Sequence, residues 1–128
     1  MKEYPSHNKE KIEQLLKKTK EVYNKLNNPK EFENMVFELC NNIEKEKINK
    51  LKKKLNWQEF PFKTLDEFIT WINYPTNISN EAKELSKLLR EKLLDELYKI
   101  QKIYKIYKIN TYTLNLNIDR LSKSGGLI

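Results

Sequence analysis

Residues 103–128 read IYKIYKINTYTLNLNIDRLSKSGGLI, and the choice between helix and strand in the middle of this stretch decides the fold. Leu114, Ile118 and Leu121 recur at i, i+4 and i+7, one face of a helix, with Thr113 placed to cap it and Gly125 to stop it. Upstream, Ile103, Ile106 and Ile109 give a shorter helix its own apolar side. The residues from Thr111 to Asp119 also alternate polar and apolar, the period of a half-buried strand. A strand there needs a partner, and no second segment alternates over a comparable length, so another copy or another protein would have to complete its ladder. The continuation to Leu121 and the glycine stop favour the helix. The expected order is a helix, a break near Asn110 and Thr111, a second helix, then a Gly-Leu-Ile strand start.

Working outward, composition points the same way. The chain has 128 residues, enough for a real core, but only two glycines and four prolines. Both glycines stand at 125 and 126, which leaves almost no material for hairpin turns or phosphate-cradling loops before the C-terminus. The fold class expected is all-α, an N-terminal helical hairpin over residues 1–62 followed by a small helical domain of helix-turn-helix type over residues 63–128.

The first helix is expected from Ser6 to Leu26, with Ile12, Leu15, Leu16, Thr19, Val22, Tyr23 and Leu26 as its apolar stripe. Asn27 and Asn28 end it. Asn28 then caps a second helix with Pro29 in its first turn, where a missing N–H costs nothing, and Glu31 and Glu33 favour its positive end. The second stripe is Phe32, Val36, Leu39, Ile43, Ile48, Leu51 and Leu55, so a short turn joins two helices of more than twenty residues in an antiparallel pair. Lys50, Lys52, Lys53 and Lys54 complement the dipole at its end. Trp57, Phe60 and Phe62 are expected to fill the space between this hairpin and the next domain. Thr64 and Glu67 spell a capping box for a short helix through Leu65, Phe68, Ile69 and Ile72, closed by Tyr74 and Pro75. Ser79 caps a long fourth helix carrying Ala82, Leu85, Leu88, Leu89, Leu93, Leu94 and Leu97.

After Leu97 come four triplets, Tyr98-Lys99-Ile100, Gln101-Lys102-Ile103, Tyr104-Lys105-Ile106 and Tyr107-Lys108-Ile109. A period of three drifts about 60° per triplet around a helix of 3.6 residues per turn, so these lysines wind around it. The segment either prolongs the fourth helix or forms a separate one. Lysine interleaved with tyrosine is also a pattern of single-strand binding, where bases stack on rings beside cations; buried isoleucine with solvated or phosphate-facing lysine is the favoured reading.

From Ser79 onward, and most specifically in TLNLNIDRLSKSGGLI, the sequence resembles the winged helix-turn-helix family of DNA-binding domains. The resemblance implies that the fourth helix ends near Tyr98, that Gln101 to Lys108 is the positioning helix with Lys102, Lys105 and Lys108 on phosphate, and that the following helix reads DNA. Leu114, Ile118 and Leu121 match its inward positions. By the same matching, Thr111, Tyr112, Asn115, Leu116 and Asp119 face the major groove, with Arg120 and Lys123 nearer the phosphates. Leu116 and Asp119 depart from what a groove-reading surface wants, the sequence ends where the family's two-stranded wing should begin, and Gly126 is one glycine too many; either the wing is absent or the domain is adapted to touch protein instead.

Charge separates the chain into three parts. The net charge is +7; residues 1–63 carry 15 lysines against 10 carboxylates, residues 64–96 carry 4 cations against 7 carboxylates, and residues 97–128 carry 6 cations against 1 carboxylate. Two basic ends around an acidic middle are the electrostatic footprint of phosphate binding, or equally a solvated surface. A single cysteine, Cys40, and an opening without the apolar run of a signal peptide lead to the expectation of a cytoplasmic protein that no membrane holds. His7 and Cys40 sit apart with no third partner, so neither catalysis nor a metal or other cofactor is expected. Two functions of different class follow. The first is a non-enzymatic DNA-binding protein, a regulator or replication accessory of a phage or plasmid, favouring duplex DNA and able to self-associate through the hairpin. The second is a helical protein-binding module such as an inhibitor, immunity or assembly protein.

Overall fold

A computed structural model of the protein describes residues 6–73 and 79–123. Among them are six helices and no strand: α1 (Ser6–Leu26), α2 (Phe32–Glu38), α3 (Asn42–Lys54), α4 (Leu65–Asn73), α5 (Asn80–Ile106) and α6 (Tyr112–Ser122). The long α5 is the post of the architecture. It packs against α1, α2, α3 and α6, while α4 packs on α6 from the other side. One apolar cluster runs from Leu26 and Phe32 through Phe62, Leu65, Leu89 and Leu97 to Leu114, Ile118 and Leu121.

α1 has the limits that its stripe requires. Leu26 is fully buried and Thr19 turns its hydroxyl inward to donate to the Leu15 carbonyl at 2.7 Å, but Ile12 and Leu15 on the same stripe stay exposed. The single second helix expected from Asn28 to Leu55 is instead two. Asn28 does accept the Lys30 N–H at 2.8 Å, yet regular helix begins only at Phe32 and stops after Glu38. Asn41, in extended backbone, then starts α3 with a complete capping box: its side chain accepts from the Glu44 N–H at 2.8 Å and Glu44 accepts from the Asn41 N–H at 2.9 Å. Reciprocal capping satisfies two N–H groups that an uninterrupted helix would bond internally, so a restart at Asn41 costs little. The phase changes across the break, which explains why Ile43, placed on the inward stripe by sequence, is 79 % exposed. Only α2 pairs with α1; α3 lies against α5.

α3 ends on Asn56 in left-handed backbone at φ 59°, with Trp57 N–H bonding the Lys52 carbonyl and Asn56 N–H the Lys53 carbonyl. That is the Schellman pattern, and asparagine tolerates its φ better than most residues. The connector then turns inward as expected. Phe60 and Phe62 are buried, and Phe62 meets Phe32, Trp57, Phe68 and Trp71 ring to ring. Lys52 does more than complement a dipole: its ammonium is 2.5 Å from Glu33 and lies over the rings of Phe37 and Phe60, while Glu33 also takes the Phe60 N–H at 2.7 Å. Thr64 caps α4 by accepting the Glu67 N–H at 3.1 Å, and Glu67 reaches back one residue further than a capping box requires, to the Lys63 N–H. Ser79 caps α5 through the Ala82 N–H. Tyr74, Pro75, Gly125 and the Gly125–Ile128 strand start lie outside the described residues, as does the side chain of His7.

The triplet segment does not begin a new helix after Tyr98. α5 continues unbroken to Ile106, because Leu97, Ile100 and Tyr104 keep one buried stripe through the repeat. Residues 111–119 are helical, not extended; α6 starts at Tyr112, so Thr113 lies inside its first turn and does not cap it.

Candidate nucleic-acid interface

The end of α5 sets where α6 lies. Lys108 takes left-handed backbone at φ 56°, Ile109 N–H bonds the Tyr104 carbonyl at 2.8 Å and Lys108 N–H the Lys105 carbonyl at 3.2 Å, a second Schellman turn. Asn110 then accepts the Tyr112 N–H at 2.9 Å, starting α6. Three groups hold α6 in place. Gln101 donates to Asn115 at 2.7 Å, Arg90 donates to the Leu121 and Ser122 carbonyls at 2.9 and 2.7 Å, and Asn117, 9 % exposed, donates to the Tyr23 hydroxyl at 3.1 Å. Since Asn115 meets Gln101 near the turn while Leu121 and Ser122 meet Arg90 three turns earlier, α6 folds back beside α5.

Leu114, Ile118 and Leu121 point inward as their spacing requires. The outward side of α6 then presents Tyr112, 69 % exposed, Leu116, Asp119 and Lys123. Beside it α5 presents Tyr98, Lys102 and Lys105, all exposed, with Lys99 and Ile106 exposed further round α5, away from α6, and Lys108 exposed in the turn between. The eight residues singled out by sequence thus share one region, but in different states. Lys102, Lys105 and Lys108, and Lys99 with them, have no carboxylate within ion-pair distance among the described residues. Arg120 is committed to Asp66 of α4 at 2.8 Å, with Thr70 beside it, and Lys123 pairs with Asp119 at 3.1 Å. Asn115 spends its amide on Gln101 and on the Thr111 hydroxyl, which it reaches at 3.2 Å. Tyr112 alone of the α6 set is both exposed and without a side-chain partner among the described residues.

Sequence reasoning named Tyr98 and Lys99 in the triplets without placing them in the candidate site, and assigned Ile106 to an apolar side that the structure leaves 67 % exposed. The period of three carried the signal: in one continuous helix it turns Tyr98 and Lys102 outward while turning Tyr104 in.

Away from this region Glu44, Lys92 and Cys40 are tied into the structure. The Lys92 ammonium at 2.8 Å and the Asn41 N–H hold the Glu44 carboxyl below its usual range and raise Lys92 in turn. Burial pushes the Cys40 thiol up, with Glu44 adding to it, so Cys40 is not poised as a thiolate nucleophile. Open clefts of about 620 Å³ beside Glu33 and Gln58 and of about 460 Å³ along α1 hold no histidine or cysteine among their lining residues. Among the described residues no three His, Cys, Asp or Glu side chains gather as a metal site would need, and no helix is long and apolar enough to cross a membrane.

The class this structure defines is an all-helical protein of six helices among its described residues. Comparison with protein-family profiles, with curated proteins and with solved structures finds no match to the chain.

Proposed function

We propose that the protein binds DNA through the outward face of α5 and α6, led by phosphate contacts from Lys102 and Lys105 of α5 and Lys108 of the turn. The observation that carries this reading is local charge balance: residues 97–128 carry six cations against one carboxylate, and Lys102, Lys105 and Lys108 stand exposed with no ion pair among the described residues. Lysines of α1 such as Lys11, Lys17 and Lys18 are equally unpaired among the described residues, but Glu10, Glu13 and Glu21 are interspersed among them. Unpaired lysines at a regular spacing give up little on meeting phosphate and release counterions from the polyanion. The helix-turn-helix expectation belongs to the same reading: α6 is seated by Leu114, Ile118 and Leu121, and its outward residues Thr111, Tyr112 and Asn115 would lie nearest the bases. With Arg120, Lys123 and Asn115 already engaged, sequence discrimination is expected to be modest. A regulator or replication accessory that coats or positions DNA fits this better than a stringent repressor.

Titration of a labelled random duplex checks it. Three phosphate contacts give a slope of log K against log salt of about −2.7, or a loss of roughly 40-fold in affinity between 50 and 200 mM salt. Lys105→Glu weakens binding several-fold for every sequence, while Lys17→Glu, the same charge change on exposed α1, has a smaller effect. Equal effects of the two would leave net charge alone as the cause and remove the interface.

A second reading rests on Ile106, 67 % exposed, and on Tyr112 and Leu116, exposed on α6. Such apolar exposure suits a protein partner. It predicts a complex that resists salt and nuclease and is abolished by Ile106→Asp or Leu116→Asp.

A further inference from the structure

Building on the DNA-binding reading, we infer that the strand held by this face is single-stranded DNA, its bases stacked on Tyr98 and Tyr112 and its phosphates on Lys102 and Lys105. Four tyrosines lie between residues 98 and 112, and the structure sorts them. Tyr104 is buried and packs edge-on against Tyr23, and Tyr107 is half-buried; Tyr98 and Tyr112 are 48 % and 69 % exposed. Neither exposed ring has a ring partner or a hydrogen bond to its hydroxyl among the described residues.

Their placement is compact. At 100° per residue Tyr98, Lys102 and Lys105 fall within about 60° of arc on α5. Because Asn115 lies opposite Gln101, Tyr112 lies opposite the level of Tyr104, six residues from Tyr98 and about 9 Å along the helix axis. With a helix separation of about 8–10 Å added, the two tyrosine positions are roughly 12–13 Å apart, room for two or three stacked nucleotides at about 3.4 Å each, with Lys102 between their levels and Lys105 close to the level of Tyr112.

The shape of the face argues against a groove. α6 does not project: α5 flanks it on the Gln101 and Arg90 side, and α4 flanks it on the Arg120 side through Asp66 and Thr70. Two adjacent helices of about 10 Å each present a surface wider than the roughly 12 Å major groove. A flexible strand needs no groove entry and brings the base faces that exposed rings can use. Glu91, Asp95 and Asp119 are the carboxylates on this side, Glu91 two turns before Tyr98, and Asp119 is already neutralised by Lys123.

The test is fluorescence anisotropy of the full chain with labelled (dT)15 and with a 15-base-pair duplex at low salt. The expected result is tighter binding to (dT)15, weakened at least about fivefold by Tyr98→Ala and by Tyr112→Ala and retained by the corresponding Phe variants, since stacking needs the ring and not the hydroxyl. Duplex binding should change by less than about twofold with any of the four variants, because paired bases offer the rings no free face to stack on. Circular dichroism of the Ala variants keeps loss of fold separate from loss of stacking, both side chains being exposed. Equal or tighter duplex binding, with no effect of the tyrosine variants, overturns this inference and leaves the DNA-binding reading standing. Binding to neither probe overturns both.

Discussion

Arg90→Met removes the clasp that holds the C-terminal end of α6. Arg90 sits half-buried on α5 and spends two donors on the last-turn carbonyls of Leu121 and Ser122, at 2.9 and 2.7 Å. Those carbonyls lie in the last turn of α6 and carry the negative end of the helix dipole, and the Leu121 carbonyl also takes the Lys123 N–H. A charged hydrogen bond contributes about 1.5–3 kcal/mol and the charge–dipole interaction about 0.3–1 kcal/mol, but water can reach the freed carbonyls and replace part of this. Methionine keeps most of the aliphatic stem, so the expected loss is about 2–3 kcal/mol. Spread over an unfolding entropy of about 2.1 cal/mol/K for each of 128 residues, that lowers Tm by about 7–11 °C. Urea denaturation of wild type and variant gives the free energy, and amide exchange locates it: α6 amides should lose protection before those of α5. Arg90→Lys should recover part of the loss, having the charge but not the two-pronged geometry. A change below about 0.5 kcal/mol, or one with α6 exchange unaltered, would refute the idea that these two bonds seat the helix.

Glu44→Gln should destabilise the protein by about 1 kcal/mol at neutral pH through the capping box and the Lys92 pair. The folded carboxyl is held below its unfolded range, so this contribution is present above the unfolded value, near pH 4.3, and disappears as pH falls through the folded one; denaturation at pH 7 and pH 3 should show the difference between the two proteins closing. Lys108→Gly relieves a left-handed backbone at φ 56° and should raise stability by about 1 kcal/mol in the same assay, Asn56→Gly by less. Ile43→Lys should cost under about 0.5 kcal/mol because the side chain is outside the core, whereas Val36→Lys, fully buried in the same expected stripe, should prevent folding; loss of the fold with Ile43→Lys would mean that α2 and α3 are one helix after all.

The helices with unambiguous ends were readable from local chemistry. Ser79 and Thr64 each cap through a hydroxyl and the N–H three residues on, a signal contained in four residues. The break at Asn41 was readable too, as the Asn-x-x-Glu pattern of residues 41–44 and the five-residue gap between Ile43 and Ile48, but the continuous run of apolar residues from Phe32 to Leu55 concealed it. The end of α5 was harder. Lys108 carries no glycine-like mark for a left-handed turn, and the position of that turn depends on Ile109 finding the core. For the candidate interface, sequence could supply the basic residues but not their partners. Arg120 and Asp66 are 54 positions apart, and only the packing of α4 on α6 brings them together, so their pairing is a property of tertiary structure alone. The same holds for Tyr98 and Tyr104, two of four similar tyrosines, one left in solvent and one buried against Tyr23.

The central position of α5 bears on how the chain matures. α1, α2 and α3 all rest on a helix that begins at Asn80, so during synthesis α1 and α2 can meet each other and the Phe60–Phe62 connector, but the apolar surface that faces α5 stays uncovered until residues up to Ile106 have left the ribosome. At about 5–20 residues per second the nascent N-terminal part waits several seconds in this state. Its dense lysine and glutamate coating keeps that interval soluble, and the fold closes late, when the post on which everything leans becomes available.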